Sequence, residues 1–88
     1  MINVIRFTAS WCSPCRALAP ILTEVQNEIT TPGVSFKVVD VDGDRISANQ
    51  YNIRSVPTVV IEKNGAVIQQ LVGVKSKAEY QTAIKNAI

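Results

Sequence analysis

The chain has 88 residues, of which 47% are hydrophobic and 18% charged, and its formal net charge is +2. That length suits one domain, residues 1–88, and that balance belongs to a globular protein rather than a disordered one. The nine Lys and Arg are scattered along the chain, so no basic face with stacking aromatics marks a nucleic-acid groove.

Residues 2–7 (INVIRF) are mostly apolar and β-branched, which predicts a strand buried on both faces. Leu18, Ile21, Leu22, Val25 and Ile29 recur at helical spacing and predict a helix over 13–29, with Pro20 inside it and Thr30-Thr31-Pro32-Gly33 as its stop. A second strand is expected at 34–40 (VSFKVVD), followed by a short helix that opens at Asp42-Gly43-Asp44 and runs to about Tyr51. Residues 58–62 and 66–72 read as strands joined through Asn64-Gly65, a strong two-residue hairpin signal. Ser76 and Glu79 form a capping box for a last helix with Tyr80, Ala83, Ile84, Ala87 and Ile88 on its core face. The order β-α-β-α-β-β-α places the chain in the α/β class. The first two strands, joined through a helix, should be parallel and the last two antiparallel, giving a four-stranded mixed sheet with helices on both faces. No apolar run approaches the ~18 residues of a membrane span, and MINVIRFTAS is too short and interrupted for a secretory signal.

The chemistry concentrates in Trp11-Cys12-Ser13-Pro14-Cys15, which holds the only two cysteines of a chain without histidine. Three readings compete. Structural zinc takes four Cys or His ligands, and this chain supplies two. A pair of buried cysteines acting as small hydrophobes fits poorly at a strand-to-helix junction beside serines. The third reading follows from position: a helix starting near Ser13 puts Cys12 at its N-terminal edge, where free N–H groups and the positive end of the dipole favour a thiolate. Pro14 suits a first-turn position, where its missing N–H has no partner to lose. Cys15, one turn below and more buried, can then resolve a mixed disulfide formed at Cys12. Dithiol exchange is the favoured reading. Two cysteines this close also close too small a loop to stabilise a secreted fold by chain entropy, which favours the cytoplasm.

With Trp11-Cys12-Ser13-Pro14-Cys15-Arg16, Pro20, Val56-Pro57-Thr58, Lys63-Asn64-Gly65 and Val72-Gly73 in this order, the chain resembles the thioredoxins from residue 2 to its C-terminus. The N-terminal strand and helix of full-length thioredoxins have no counterpart, so it resembles the short members, close in size to glutaredoxins. The resemblance implies a thioredoxin-like fold and a protein-disulfide oxidoreductase with Cys12 as nucleophile and Cys15 as resolving thiol. It implies that Trp11 covers the edge of the site, that Pro57 is cis, that Val56 pairs its backbone with an extended substrate segment, and that Gly73 leaves a patch free of side chain for a partner's backbone. It implies no cofactor and no metal, because the dithiol carries the electrons. The partners it implies are disulfide-containing proteins and a flavin-dependent thioredoxin reductase, or glutathione. A monomer is expected, with neither nucleic acid nor membrane as partner.

Three departures from the family pattern stand out. Ser13 replaces the usual glycine and brings a hydroxyl that can donate toward sulfur. Thr8 stands where the family often has a first tryptophan. Arg6 and Val38 replace a buried aspartate and a nearby lysine. Strand alternation puts Asp40 on the face of Val38 and predicts a diagonal ion pair between Asp40 and Arg6. Arg6 is then expected to favour the thiolate and make the couple more oxidising, unless it snorkels to solvent. Two rival functions are a glutathione-dependent, glutaredoxin-like reductase, separable by turnover with glutathione alone, and a non-catalytic thioredoxin-like binding subunit, which Cys12→Ser would leave intact.

Overall fold

The computed structural model describes residues 1–88. Seven elements follow one another: β1 (Ile2–Thr8), α1 (Ser13–Glu28), β2 (Val34–Asp40), α2 (Arg45–Gln50), β3 (Thr58–Lys63), β4 (Ala66–Val72) and α3 (Lys77–Ala87). They form one four-stranded sheet in the order β2-β1-β3-β4. β1 and β2 are parallel, whereas β1 with β3 and β3 with β4 are antiparallel. The expected mixed sheet is therefore the observed one. No helix is long and apolar enough to cross a membrane.

Strand alternation divides the core. Ile2, Val4, Val59, Ile61 and Leu71 face α1 and α3, where they meet Leu18, Leu22, Val25, Tyr80, Ala83, Ile84 and Ala87. Ile5, Phe7 and Val60 face the other way, toward Tyr51, Ile53 and Val56 in and beyond the end of α2. The Phe7 and Tyr51 rings pack with centroids 5.5 Å apart. Tyr51 Oη donates to Glu62 Oε2, Asn3 Nδ2 donates to Glu62 Oε1, and these bonds hold the Glu62 carboxyl below its ordinary range. The segment after α2 is thereby fixed to the sheet beside the chain's most conspicuous motif.

Local sequence explains the boundaries. Asn64 and Gly65 both take positive φ, 53° and 86°, as a two-residue hairpin of this hand requires, and Lys63 pairs with Ala66 across it. Asp44 caps α2, its carboxylate accepting from the Ser47 amide and hydroxyl, which pulls its pKa down. Ser76 caps α3 by accepting from the Glu79 N–H. Its hydroxyl also donates to the Glu79 carboxylate, so the reciprocal half of the box runs side chain to side chain. Lys77 pairs with Glu28, and Gln81 Nε2 donates to the same carboxylate at 2.9 Å, clasping α3 to the end of α1.

Two expectations need correction at helix ends. Ile29 lies just past α1, with extended backbone, and only packs against the rim of the core. Ile88 is 53% exposed rather than part of the α3 core face, because the helix has ended at Ala87 and periodicity no longer governs the next residue.

Gly73 ends β4 at φ 84°, and a Cβ there would meet nothing within 4 Å. Its replacement by alanine therefore costs left-handed backbone strain alone, about 1–2 kcal/mol. Gly43→Ala, away from the left-handed region and with its nearest neighbour at 3.8 Å, should cost less than about 0.5 kcal/mol. Urea midpoints of the two variants check the contrast, and equal midpoints would refute it.

Candidate active site

Sheet register alone gathers the predicted site. Thr8 pairs with Asp40, Phe7 with Thr58, and Thr58 with Val72, so the ends of β1, β2 and β4 and the start of β3 share one edge of the fold. The Cys12 loop, the turn after β2, the Pro57 loop and Gly73 all emerge there. The Gly73 N–H donates to the Pro57 carbonyl at 2.9 Å, and Val41 N–H donates to Thr8 O at 2.9 Å, which locks neighbouring loops together.

Cys12 is the N-cap of α1, with φ −95° and ψ 105°, and the Cys15 backbone N–H donates to its Sγ at 3.2 Å. A sulfur thus takes the place that a Ser or Asp oxygen fills at an ordinary cap, and one free N–H of the first turn is aimed at it. Ser13 and Pro14 occupy that first turn, so the proline removes a donor that had no acceptor. Cys12 and Cys15 are bonded as a disulfide, with Cα atoms 5.3 Å apart.

The pair is covered almost equally, 3% exposure for Cys12 and 2% for Cys15, so burial does not distinguish the two sulfurs as expected. Their polar surroundings do. Cys12 Sγ faces the Cys15 N–H and lies 3.8 Å from the Val56 carbonyl oxygen, to which a thiol can donate. Ala9, Val41 and Val56 complete an apolar cluster around both cysteines.

The remaining predicted residues fall on and around this cluster. Trp11 is 67% exposed, and its Nε1 donates to Asp42 Oδ2 at 2.8 Å. The Val56–Pro57 peptide bond is cis. Ser13 Oγ accepts from Arg16 Nη2 at 3.5 Å, and Arg16 Nη1 donates to Ser10 O at 3.0 Å. The Ser13 hydroxyl is therefore engaged by a guanidinium rather than directed at sulfur.

The expected Arg6–Asp40 pair does not form. Asp40 Oδ1 accepts from the Asp42 N–H at 2.9 Å, and the Asp40 carbonyl accepts from Gly43 and Asp44. The turn that ends β2 takes the carboxylate as its own acceptor, a local demand that outweighs a diagonal neighbour across the sheet. Arg6 is half-buried, has no hydrogen-bond or ion-pair partner, and lines a shallow cavity of about 30 Å³ with Leu22, Thr23, Gln26, Phe36 and Val38. Burial pulls its pKa below the ordinary arginine range, and a guanidinium stays charged regardless. Its neighbours on α1 lie two turns beyond Cys15, so its charge sits beside the middle of that helix and not directly under the sulfurs.

Asp42 is the site residue that sequence reasoning missed. It was legible only as turn punctuation, because its contact with Trp11 spans 31 residues of sequence and depends on the parallel register of β1 and β2.

Comparison with known proteins agrees with this geometry. The family model described as Thioredoxin matches residues 1–86. The chain is 39% identical over 84 residues to thioredoxin H-type 1 of Nicotiana tabacum, covering 96% of itself and 65% of that protein. It is 36% identical over 84 residues to a thioredoxin of Listeria monocytogenes, covering 93% of itself and 79% of the relative. The chain thus spans about two thirds to four fifths of the length of these relatives. Among solved structures, the thioredoxin of Malassezia sympodialis superimposes with a TM-score of 0.88 at 35% identity, covering 98% of this chain and 74% of the other. A mutant thioredoxin of Halobacterium salinarum gives the same TM-score at 26% identity, with the same coverage.

Proposed function

The chain belongs to the thioredoxin family, and on that premise we propose that it is a thiol–disulfide oxidoreductase that reduces disulfides in other proteins. The observation that carries the reading is the Cys15 N–H directed at Cys12 Sγ at the head of α1. That bond, added to the dipole of a 16-residue helix, stabilises a sulfur anion over a thiol and supplies nucleophile at neutral pH.

The reaction runs in two displacements. The Cys12 thiolate attacks one sulfur of the substrate disulfide, forms a mixed disulfide, and expels the other substrate sulfur as a thiolate that takes up a proton. Cys15 then loses its proton and attacks Cys12 Sγ, which closes the Cys12–Cys15 bond and releases the second substrate thiol. The substrate gains two electrons and two protons, and the protein dithiol loses them. The Cys15 proton passes to solvent or to the departing thiolate.

Trp11, Val56, Pro57 and Gly73 form the surface on which the substrate segment lies. A thioredoxin reductase is the electron donor in this reading and the cytoplasm its compartment, supported by the two-cysteine composition. To test it, the reduced protein is mixed with a disulfide peptide, and peptide thiol is counted against protein thiol lost. One disulfide reduced per chain oxidised supports the reading; no reduction refutes it.

Arg6, Ser13 and Pro14 set the potential of the couple in this proposal, with Arg6 acting weakly from its position along α1. A positive charge stabilises the thiolate and hence the reduced form. Arg6→Met should therefore lower the potential by on the order of 10–20 mV, with 30 mV corresponding to about 1.4 kcal/mol. Equilibration against a glutathione buffer measures it, and an unchanged or raised potential would remove Arg6 from the tuning set.

A further inference from the structure

Next to Cys12 lies an open depression of about 130 Å³, walled by Trp11, Val41, Ile53 and Val56 and bounded by Arg54 and Ser55. Its apolar walls suit a side chain flanking a substrate cysteine. Its charges are less ordinary. Arg54 is exposed and has no hydrogen-bond or ion-pair partner, the one ion pair of the chain being Lys77–Glu28. Asp42 stands at the Trp11 wall, one carboxylate oxygen held by the indole N–H. Arg54 is the one charged residue that lines the depression.

The backbone beside it is open. The N–H groups of Arg54, Ser55 and Val56 donate to no acceptor in the chain. The Ser55 carbonyl turns inward to accept from Thr58 Oγ1. Ile53, Arg54, Ser55 and Val56 line the depression one after another as the chain bends into Pro57, so the Arg54 guanidinium and the Val56 backbone border the same short path away from Cys12. An extended substrate segment that presents its half-cystine to Cys12 beside Val56 and runs on across the depression carries the side chain two residues away, about 6.5–7 Å further along, within reach of Arg54.

We infer that Arg54 determines substrate preference, favouring disulfide-bearing segments with a carboxylate two residues from the reactive cysteine, on the side away from Trp11 and Asp42. This rests on the exchange reaction proposed above. An exposed pair of this kind is worth a few-fold in rate, larger at low salt, because one step is the attraction of a charged segment to a fixed guanidinium.

The test uses the reduced protein and three peptides, each with a single cysteine in mixed disulfide with the same small thiol. Glu, Gln or Lys occupies the positions two residues from the cysteine, and release of the peptide thiol gives the rate. The expected order is Glu, Gln, Lys, with Glu over Lys by about five-fold at low ionic strength and a contrast that shrinks in high salt. Arg54→Glu should invert the order. Lys63→Gln, which removes one positive charge at the opposite end of β3, should keep the Glu-to-Lys ratio within about two-fold of the unaltered protein.

Equal rates for the three peptides overturn the inference and leave the exchange reaction standing. So does an order that survives Arg54→Glu, or a Glu-to-Lys ratio that Lys63→Gln changes by more than about two-fold. Failure to reduce any peptide refutes the exchange reaction itself, and the preference with it.

Discussion

Cys12→Ser should abolish disulfide reduction, lowering the rate by at least about 10³-fold, to the background of the assay. A serine hydroxyl in the same cap accepts the Cys15 N–H as well as sulfur does, so the fold keeps its helix start while the reagent is gone. Cys15→Ser should behave differently. Cys12 can still attack, but nothing closes the ring, and the protein accumulates as a mixed disulfide with its substrate. Mass spectrometry of the two variants after exposure to a disulfide peptide reads the outcome directly: an adduct on Cys12 in Cys15→Ser, and little or none on Cys15 in Cys12→Ser. Equal adducts on both would overturn the assignment of nucleophile and resolving thiol. Melting of Cys12→Ser close to that of the reduced parent separates lost chemistry from lost structure.

Phe7→Ala carries the largest expected effect on stability. Phe7 is fully buried at the centre of the smaller core, against Ile5, Val60 and Tyr51, with Val39, Val41, Ile53 and Val56 around that cluster. Truncating such a ring costs about 3–5 kcal/mol, against a total of roughly 4–13 kcal/mol for a domain of this length. The melting temperature should fall by about 15–30 °C. The loss also reaches the site, because the segment carrying Ile53 and Val56 rests on this cluster. Ile84→Ala, on the opposite face, should cost a comparable 2–5 kcal/mol while leaving the exchange rate of the folded protein closer to the parent's. Rates measured well below both melts test the difference. An unchanged melt for Phe7→Ala would show that this side of the sheet contributes little.

The sequence was informative wherever one residue's neighbours along the chain decide its environment. Alternation in β1, the 3.6-residue period of α1, Asn64-Gly65 and the Ser76 cap all declare themselves within a few positions. The Cys12 cap belongs to the same class, since a helix start and a cysteine one residue before it suffice. What escaped is decided where local turn demands compete with neighbours across the sheet, or where separate loops meet. Asp40 is drawn to the backbone of its own turn and away from Arg6; Asp42 finds an indole from a different loop. Arg54 gains meaning only once β3 brings its loop to Cys12. Equal burial of the two sulfurs was also out of reach, because Ala9, Val41 and Val56 come from three separate segments.

One atom of this protein serves at once as structural keystone and as consumable. On oxidation the Cys12 sulfur that receives the Cys15 amide exchanges its negative charge for a covalent bond to Cys15 across that same turn, so the head of α1 is gripped by charge when electrons are present and by a staple when they have departed. Architecture and oxidation state are consequently written in the same few atoms.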